Sequence, residues 1–150
     1  MQDLEQKLLV NIKTMTKEKS CGAVVYRKHN GFIEFLVQIM SAGHISLPKG
    51  HVEEGATEIE TALREIKEET SLDVIIDSSF REVVTYSPFP NVIKDVVFFI
   101  AESKENVVPI DLHDNEVRES RFLPFKEAYN FLTYETDKNV LKKAYQHLFS

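Results

Sequence analysis

The run ALREIKEET brings Arg64, Glu65, Glu68 and Glu69 together, and these are the side chains of this chain best placed to do chemistry. In a helix Glu65 lies one turn from both Glu68 and Glu69, so the carboxylates share a stripe. Like charges at that spacing repel by roughly 0.2–0.5 kcal/mol per pair. They also sit in the C-terminal half of the segment, where the helix dipole favours cations. A divalent metal ion would compensate for both penalties. A solvated acidic face, partly neutralised by Arg64 and Lys67, is the plainer alternative.

The elements that must position these groups are legible around them. Thr57 followed by Glu60 forms a capping box, so the spacing predicts a helix over about 58–70. Ile59, Ala62, Leu63 and Ile66 recur with helical period and are expected to face the core, with the glutamates flanking them. Upstream, Ser46-Leu47-Pro48-Lys49-Gly50-His51-Val52-Glu53-Glu54-Gly55 is a Gly- and Lys-containing loop. Such a loop can aim backbone groups and a lysine at a phosphate chain.

Gly50 to Leu72, GHVEEGATEIETALREIKEETSL, resembles the Nudix box, G-x5-E-x7-R-E-U-x-E-E-x-G-U with U aliphatic. Gly50, Arg64, Glu65, Ile66, Glu68, Glu69 and Leu72 fall on motif positions. Ala56 stands where the family has its first glutamate, and Ser71 where it has the glycine after the acidic pair. Ser71 bears on the helix C-cap, where glycine tolerates positive φ more easily. Ala56 removes a carboxylate that Glu53, Glu54 or Glu58 would have to replace.

The resemblance implies an α/β fold, an α/β/α sandwich with a mixed β-sheet between helices. Pattern reading agrees, with strands over 20–26, 32–40, 80–86, 92–101 and 119–123 and a turn at His29-Asn30-Gly31. Helices are expected over 126–132 and 137–149. The second carries Val140, Leu141, Ala144, Tyr145 and Leu148 on its buried face. Residues 1–14 form an N-terminal extension, possible as a helix with Leu4, Leu8, Leu9 and Ile12 on one side, and residues 15–150 form the Nudix domain.

The resemblance further implies Mg²⁺, with Mn²⁺ as a substitute, held by Glu65, Glu68, Glu69 and the backbone carbonyl of Lys49. Glu65 would be a ligand or the base that deprotonates water, and Arg64 would orient the catalytic carboxylates. Glu116, in a polar loop before a strand, is the candidate for a further acid, catalytic or metal-binding. The fit extends to the branch of the family that cleaves dinucleoside tetraphosphates asymmetrically, to a nucleoside triphosphate and a monophosphate. On that likeness His44, Lys49, Gly50 and Lys94 would contact the phosphates and Tyr86 would stack on a base. Phe122 is the candidate second ring, with Phe131 and Tyr134 as alternatives. An RNA 5′-pyrophosphohydrolase, which would use Arg118, Arg121 and Lys126, and a sanitiser of oxidised nucleoside triphosphates are alternative enzymes. A nucleotide-binding module without turnover is the alternative outside catalysis, and Ala56 is the feature in its favour.

Composition narrows the partners. At 150 residues and 43% hydrophobic the chain has the length for one well-packed domain. A net charge of −6 argues against DNA or other non-specific nucleic-acid binding, leaving an RNA 5′ end as the RNA feature to consider. No stretch is apolar enough to span a membrane, and no cleavable signal is evident. The single cysteine, Cys21, lies in a strand pattern and reads as a buried reduced thiol. Together these point to the cytoplasm. The oligomeric state stays open.

Overall fold

The computed structural model describes residues 3–6, 15–105 and 116–150. Residues 1–2 and 7–14 lie outside them, so the expected amphipathic face of the extension is described only at Leu4, which is exposed.

The element order is β1 (Thr16–His29), β2 (Phe32–Met40), β3 (Ile45–Ser46), β4 (Lys49–His51), α1 (Glu58–Thr70), β5 (Val74–Tyr86), β6 (Val92–Ser103), β7 (Val117–Pro124), α2 (Phe125–Phe131) and α3 (Glu135–Leu148). The strands form one mixed seven-stranded sheet in the order β3-β2-β1-β6-β5, with β4 on β1 and β7 on β2. β1 pairs parallel to β6 from Thr16↔Val92 to Tyr26↔Glu102. Its other edge is shared by β4, at Ser20 to Gly22, and by β2, at Tyr26 to His29. The β1–β2 link is a two-residue turn in which Asn30 (φ 51°) and Gly31 (φ 80°) are both left-handed, as a primed hairpin turn requires.

Alternation along the central strands fills two cores. Val24 and Tyr26 on β1, Phe35 and Val37 on β2, and Val96, Phe98 and Ile100 on β6 pack against Ala128 and Leu132 and against Val140, Leu141 and Ala144 of α3. Cys21, Ala23 and Val25, Leu36, and Val97, Phe99 and Ala101 point the other way, against Ala62 and Ile66 of α1. The molecule is therefore an α/β/α sandwich, with α1 on one face and α2 and α3 on the other. The strands run beyond the expected limits: β1 begins at Thr16 in a polar stretch paired parallel to β6, and β5 begins at Val74, ahead of the polar Asp77-Ser78-Ser79 where its register with β6 shifts.

α1 keeps its expected span, but its buried face is rotated. Ala62 and Ile66 are fully buried, whereas Ile59 (39%) and Leu63 (38%) are exposed. Glu69 is 5% exposed, and the Glu65 side chain 13%. Small and medium side chains thus meet the sheet, and two of the carboxylates turn inward with them. Thr57 caps the helix by accepting the Glu60 N–H at 3.1 Å. Ser71 closes it at φ 60°, donating its N–H to Lys67 O.

Candidate active site

Arg64 organises the acidic helix. Its guanidinium lies 3.0 Å from Glu65, 3.3 Å from Glu53 and 3.5 Å from Glu68. The same group donates to the backbone carbonyl of His51 at 2.8 Å, which ties α1 to β4. A planar fork of donors can hold several oxygens at once, a task an ammonium performs poorly. Arg64 therefore lies within ion-pairing distance of three carboxylates, two of them on the acidic helix. Glu53, not Glu58, is the nearby acid drawn into this cluster. Glu58 is committed elsewhere, to both ends of the Arg81 guanidinium (2.9 and 2.8 Å) and to Lys19. Those hydrogen bonds, Arg81 foremost, hold its carboxyl down at about 2.

Gly50 explains how β4 and α1 approach each other. A Cβ at this position would collide with the Glu65 carboxyl group, so only glycine lets that carboxylate rest on the β4 backbone. Strand alternation then sends the neighbouring Lys49 side chain through the other face of the sheet. One two-residue step thus presents backbone to the acidic helix and an ammonium to the opposite side.

On that opposite side lies a cleft of about 680 Å³, lined by His44, Ser46, Lys49, Val84, Tyr86, Ser87, Phe89, Tyr134 and Asp137, among others. Lys49 Nζ is 3.5 Å from the Tyr86 hydroxyl and 5.4 Å from the ring centre. His44 packs on Tyr134 with centroids 5.8 Å apart. Lys94 pairs with Tyr86 across β5 and β6, on the same strand face as Val96, but it is not among the residues lining the cleft. The floor holds Asp137, 5% exposed, whose carboxyl accepts the Leu47 N–H. Burial pushes its pKa up, against the pull of Lys49 and His44.

Phe122 is elsewhere. It packs partly buried in the α1-side core, beneath the Arg27 guanidinium at 4.5 Å. β7 alternation turns it away from the cleft, and Tyr134, at the N-cap of α3, supplies the second exposed ring instead. Phe131 is likewise packed against the α3-side core. Among the cations named for an RNA groove, Arg121 is bound to Glu119 at 2.7 Å, and none of Arg118, Arg121 and Lys126 lines this cleft. Glu116 is exposed just before β7, with its carbonyl accepting the Ser41 N–H at 2.8 Å. Among the described residues, no three His, Cys, Asp or Glu side chains already form a metal-holding group.

Sequence reasoning missed Phe89 and Asp137. Phe89 stands in a Ser-Pro-Phe-Pro-Asn stretch that reads only as a loop, and Asp137 reads as an ordinary acidic residue in a helix's first turn.

Residues 16–147 match the family model for the NUDIX domain. The asymmetrical bis(5′-nucleosyl)-tetraphosphatase of Rattus norvegicus is 35% identical over 143 residues, covering 88% of this chain and 96% of that protein. Its Sus scrofa counterpart is 34% identical over the same length, with the same coverage. Among solved structures, the binary complex of a C. elegans Ap4A hydrolase superposes with a TM-score of 0.78 at 28% identity, covering 87% of this chain and 97% of that one. Fold, motif geometry and relatives agree, and the chain belongs to the NUDIX family.

Proposed function

We propose that this protein hydrolyses a dinucleoside tetraphosphate, using Mg²⁺, to a nucleoside triphosphate and a nucleoside monophosphate. The observation that carries the reading is the step at Lys49-Gly50. It joins an Arg64-gathered set of carboxylates on one face of the sheet to an aromatic, lysine-bearing cleft on the other. The relatives named tetraphosphatase and Ap4A hydrolase match over most of their lengths, which supports the same substrate class here.

A divalent metal is the cofactor of hydrolases of this family, and the donor set fits a hard cation. Glu65, Glu68, Glu69 and the Lys49 carbonyl offer only oxygen, as Mg²⁺ prefers. Gly50 leaves the Glu65 carboxylate room against the backbone that would supply the remaining donor. Bound there, the ion would neutralise the phosphate chain and polarise the phosphorus under attack. Glu65 accepts the proton of the attacking water, and Glu116 contributes a further acid from the β7 side. Arg64 keeps Glu65 and Glu68 in register. Lys49, His44 and Lys94 offset the negative charge of the phosphates, and Tyr86 and Tyr134 stack on a nucleobase, a contact of about 1–3 kcal/mol per base.

Two further readings are less well supported. An RNA pyrophosphohydrolase would want cations past the phosphate site, and the candidates for that role lie off the cleft. A binding module without turnover would rest on Ala56, yet the acidic pair is retained and Glu53 lies 3.3 Å from Arg64 beside it. Residues 15–150 are proposed as the catalytic domain. The buried thiol of Cys21, with a pKa pushed to about 11 chiefly by desolvation, suits a reducing compartment such as the cytoplasm. No helix among the described residues is long and apolar enough to cross a membrane.

The test is a panel of dinucleoside polyphosphates, nucleoside triphosphates and triphosphorylated RNA, assayed with Mg²⁺ and read by mass spectrometry. Diadenosine tetraphosphate should give ATP and AMP and be preferred. Two molecules of ADP, or preference for the RNA, would refute the assignment.

A further inference from the structure

Among the described residues five aromatic side chains stand out as exposed: Phe32, Tyr86, Phe89, Tyr134 and Phe149. Three of them, Tyr86 (37%), Phe89 (67%) and Tyr134 (52%), line the one cleft that also holds Lys49 and His44. Among the described residues His44 packs on Tyr134 and Lys49 lies over Tyr86, whereas no ring or cation packs on Phe89. Tyr86 and Tyr134 are the rings assigned above to one base. Phe89 is left over.

Its setting is not that of a casual surface residue. Phe89 projects from the β5–β6 connection between Pro88 and Pro90, which limit backbone freedom. Its carbonyl accepts the Ser87 hydroxyl at 2.8 Å and the Val92 N–H at 3.2 Å. Asn91 turns the chain at φ 63°, and its carbonyl accepts the Thr16 N–H at 2.8 Å. The backbone is fastened on both sides while the ring is left in water. A preordered apolar platform of this kind loses little conformational freedom when a flat ligand settles on it.

We propose that Phe89 is the platform for the second nucleobase of a dinucleoside polyphosphate, which makes the cleft a two-base site. The inference rests on the substrate class proposed above and deepens it. One base occupies the Tyr86–Tyr134 position, the phosphate chain passes Lys49, and the distal base stacks on Phe89. Phe89 then selects dinucleoside over mononucleoside substrates while leaving the reacting phosphates untouched.

The experiment compares two ligands of equal phosphate number, diadenosine tetraphosphate and adenosine 5′-tetraphosphate. Affinities are measured by calorimetry with Mg²⁺ in a Glu68→Gln background, with and without Phe89→Ala. The alanine variant should bind the dinucleotide about tenfold more weakly and the mononucleotide within twofold of its parent, and Phe89→Tyr should restore the loss. Because the ring is exposed, thermal melting should be unchanged. Equal weakening of both ligands, or of neither, overturns the two-base site. The binding ratio is read without turnover. Failure of the wild-type protein to cleave diadenosine tetraphosphate would therefore count against the proposed function alone.

Discussion

At the scale of single residues, Arg64 is the cation that gathers the acidic helix. It touches Glu53, Glu65, Glu68 and the His51 carbonyl, so it couples the acidic helix to the strand that carries Lys49. Arg64→Lys keeps the charge but not the fork. It should lower kcat by about 10- to 100-fold, as loss of a residue that orients ligands typically does, with the fold intact by circular dichroism. A rate within twofold of wild type would reduce Arg64 to a surface ion pair, a contact of small energetic weight. Glu58 offers a test that leaves catalysis aside. Its carboxyl is held at about 2 against an ordinary 4.5, so its stabilising contribution is complete above pH 4.5 and disappears as pH falls towards 2. Glu58→Gln should melt below wild type at pH 7, and the gap should close across that acid window. The motif residues were readable because their types and intervals alone define them. Phe89 and Asp137 were not, because their meaning comes from what surrounds them in space.

At the scale of elements, the Thr57 cap, the span of α1 and the Asn30-Gly31 turn followed from local chemistry, which acts over a few residues. The orientation of α1 did not. Periodicity placed Ile59 and Leu63 inward, yet they are exposed, and Glu69 is buried while the Glu65 carboxylate rests against Gly50 of β4. Such a contact between distant segments leaves no local trace. Gly50→Ala must push Glu65 or β4 aside, and it should depress turnover at least as strongly as Arg64→Lys; unchanged turnover would show that the approach is dispensable. The helix end carries a separate cost. Ser71 adopts φ 60°, where a side chain is strained by about 1–2 kcal/mol. Ser71→Gly keeps the Lys67 bonds to the residue-71 carbonyl and Asp73 and should stabilise the protein by about 1 kcal/mol in denaturant unfolding; no gain would show that the left-handed Ser71 carries no net strain.

At the scale of the whole molecule, the sheet acts as a partition. Its α1 face gathers carboxylates, its α3 face opens an aromatic cleft, and β4 reaches both. The alternation of hydrophobic residues in β1, β2 and β6 made the layered architecture legible. The ring proposed to stack beside Tyr86 was harder to place, because Phe122 and Tyr134 are alike by type, and the structure packs Phe122 in the α1-side core while Tyr134 lines the cleft. The measurement that bears most directly on the central claim is turnover of diadenosine tetraphosphate with Mg²⁺ by wild type and Glu68→Gln, with products identified by mass spectrometry. The wild type should release ATP and AMP, while the variant, equally well folded, loses most of that activity. Equal release by both proteins would contradict the assignment of the helix glutamates to metal-assisted hydrolysis.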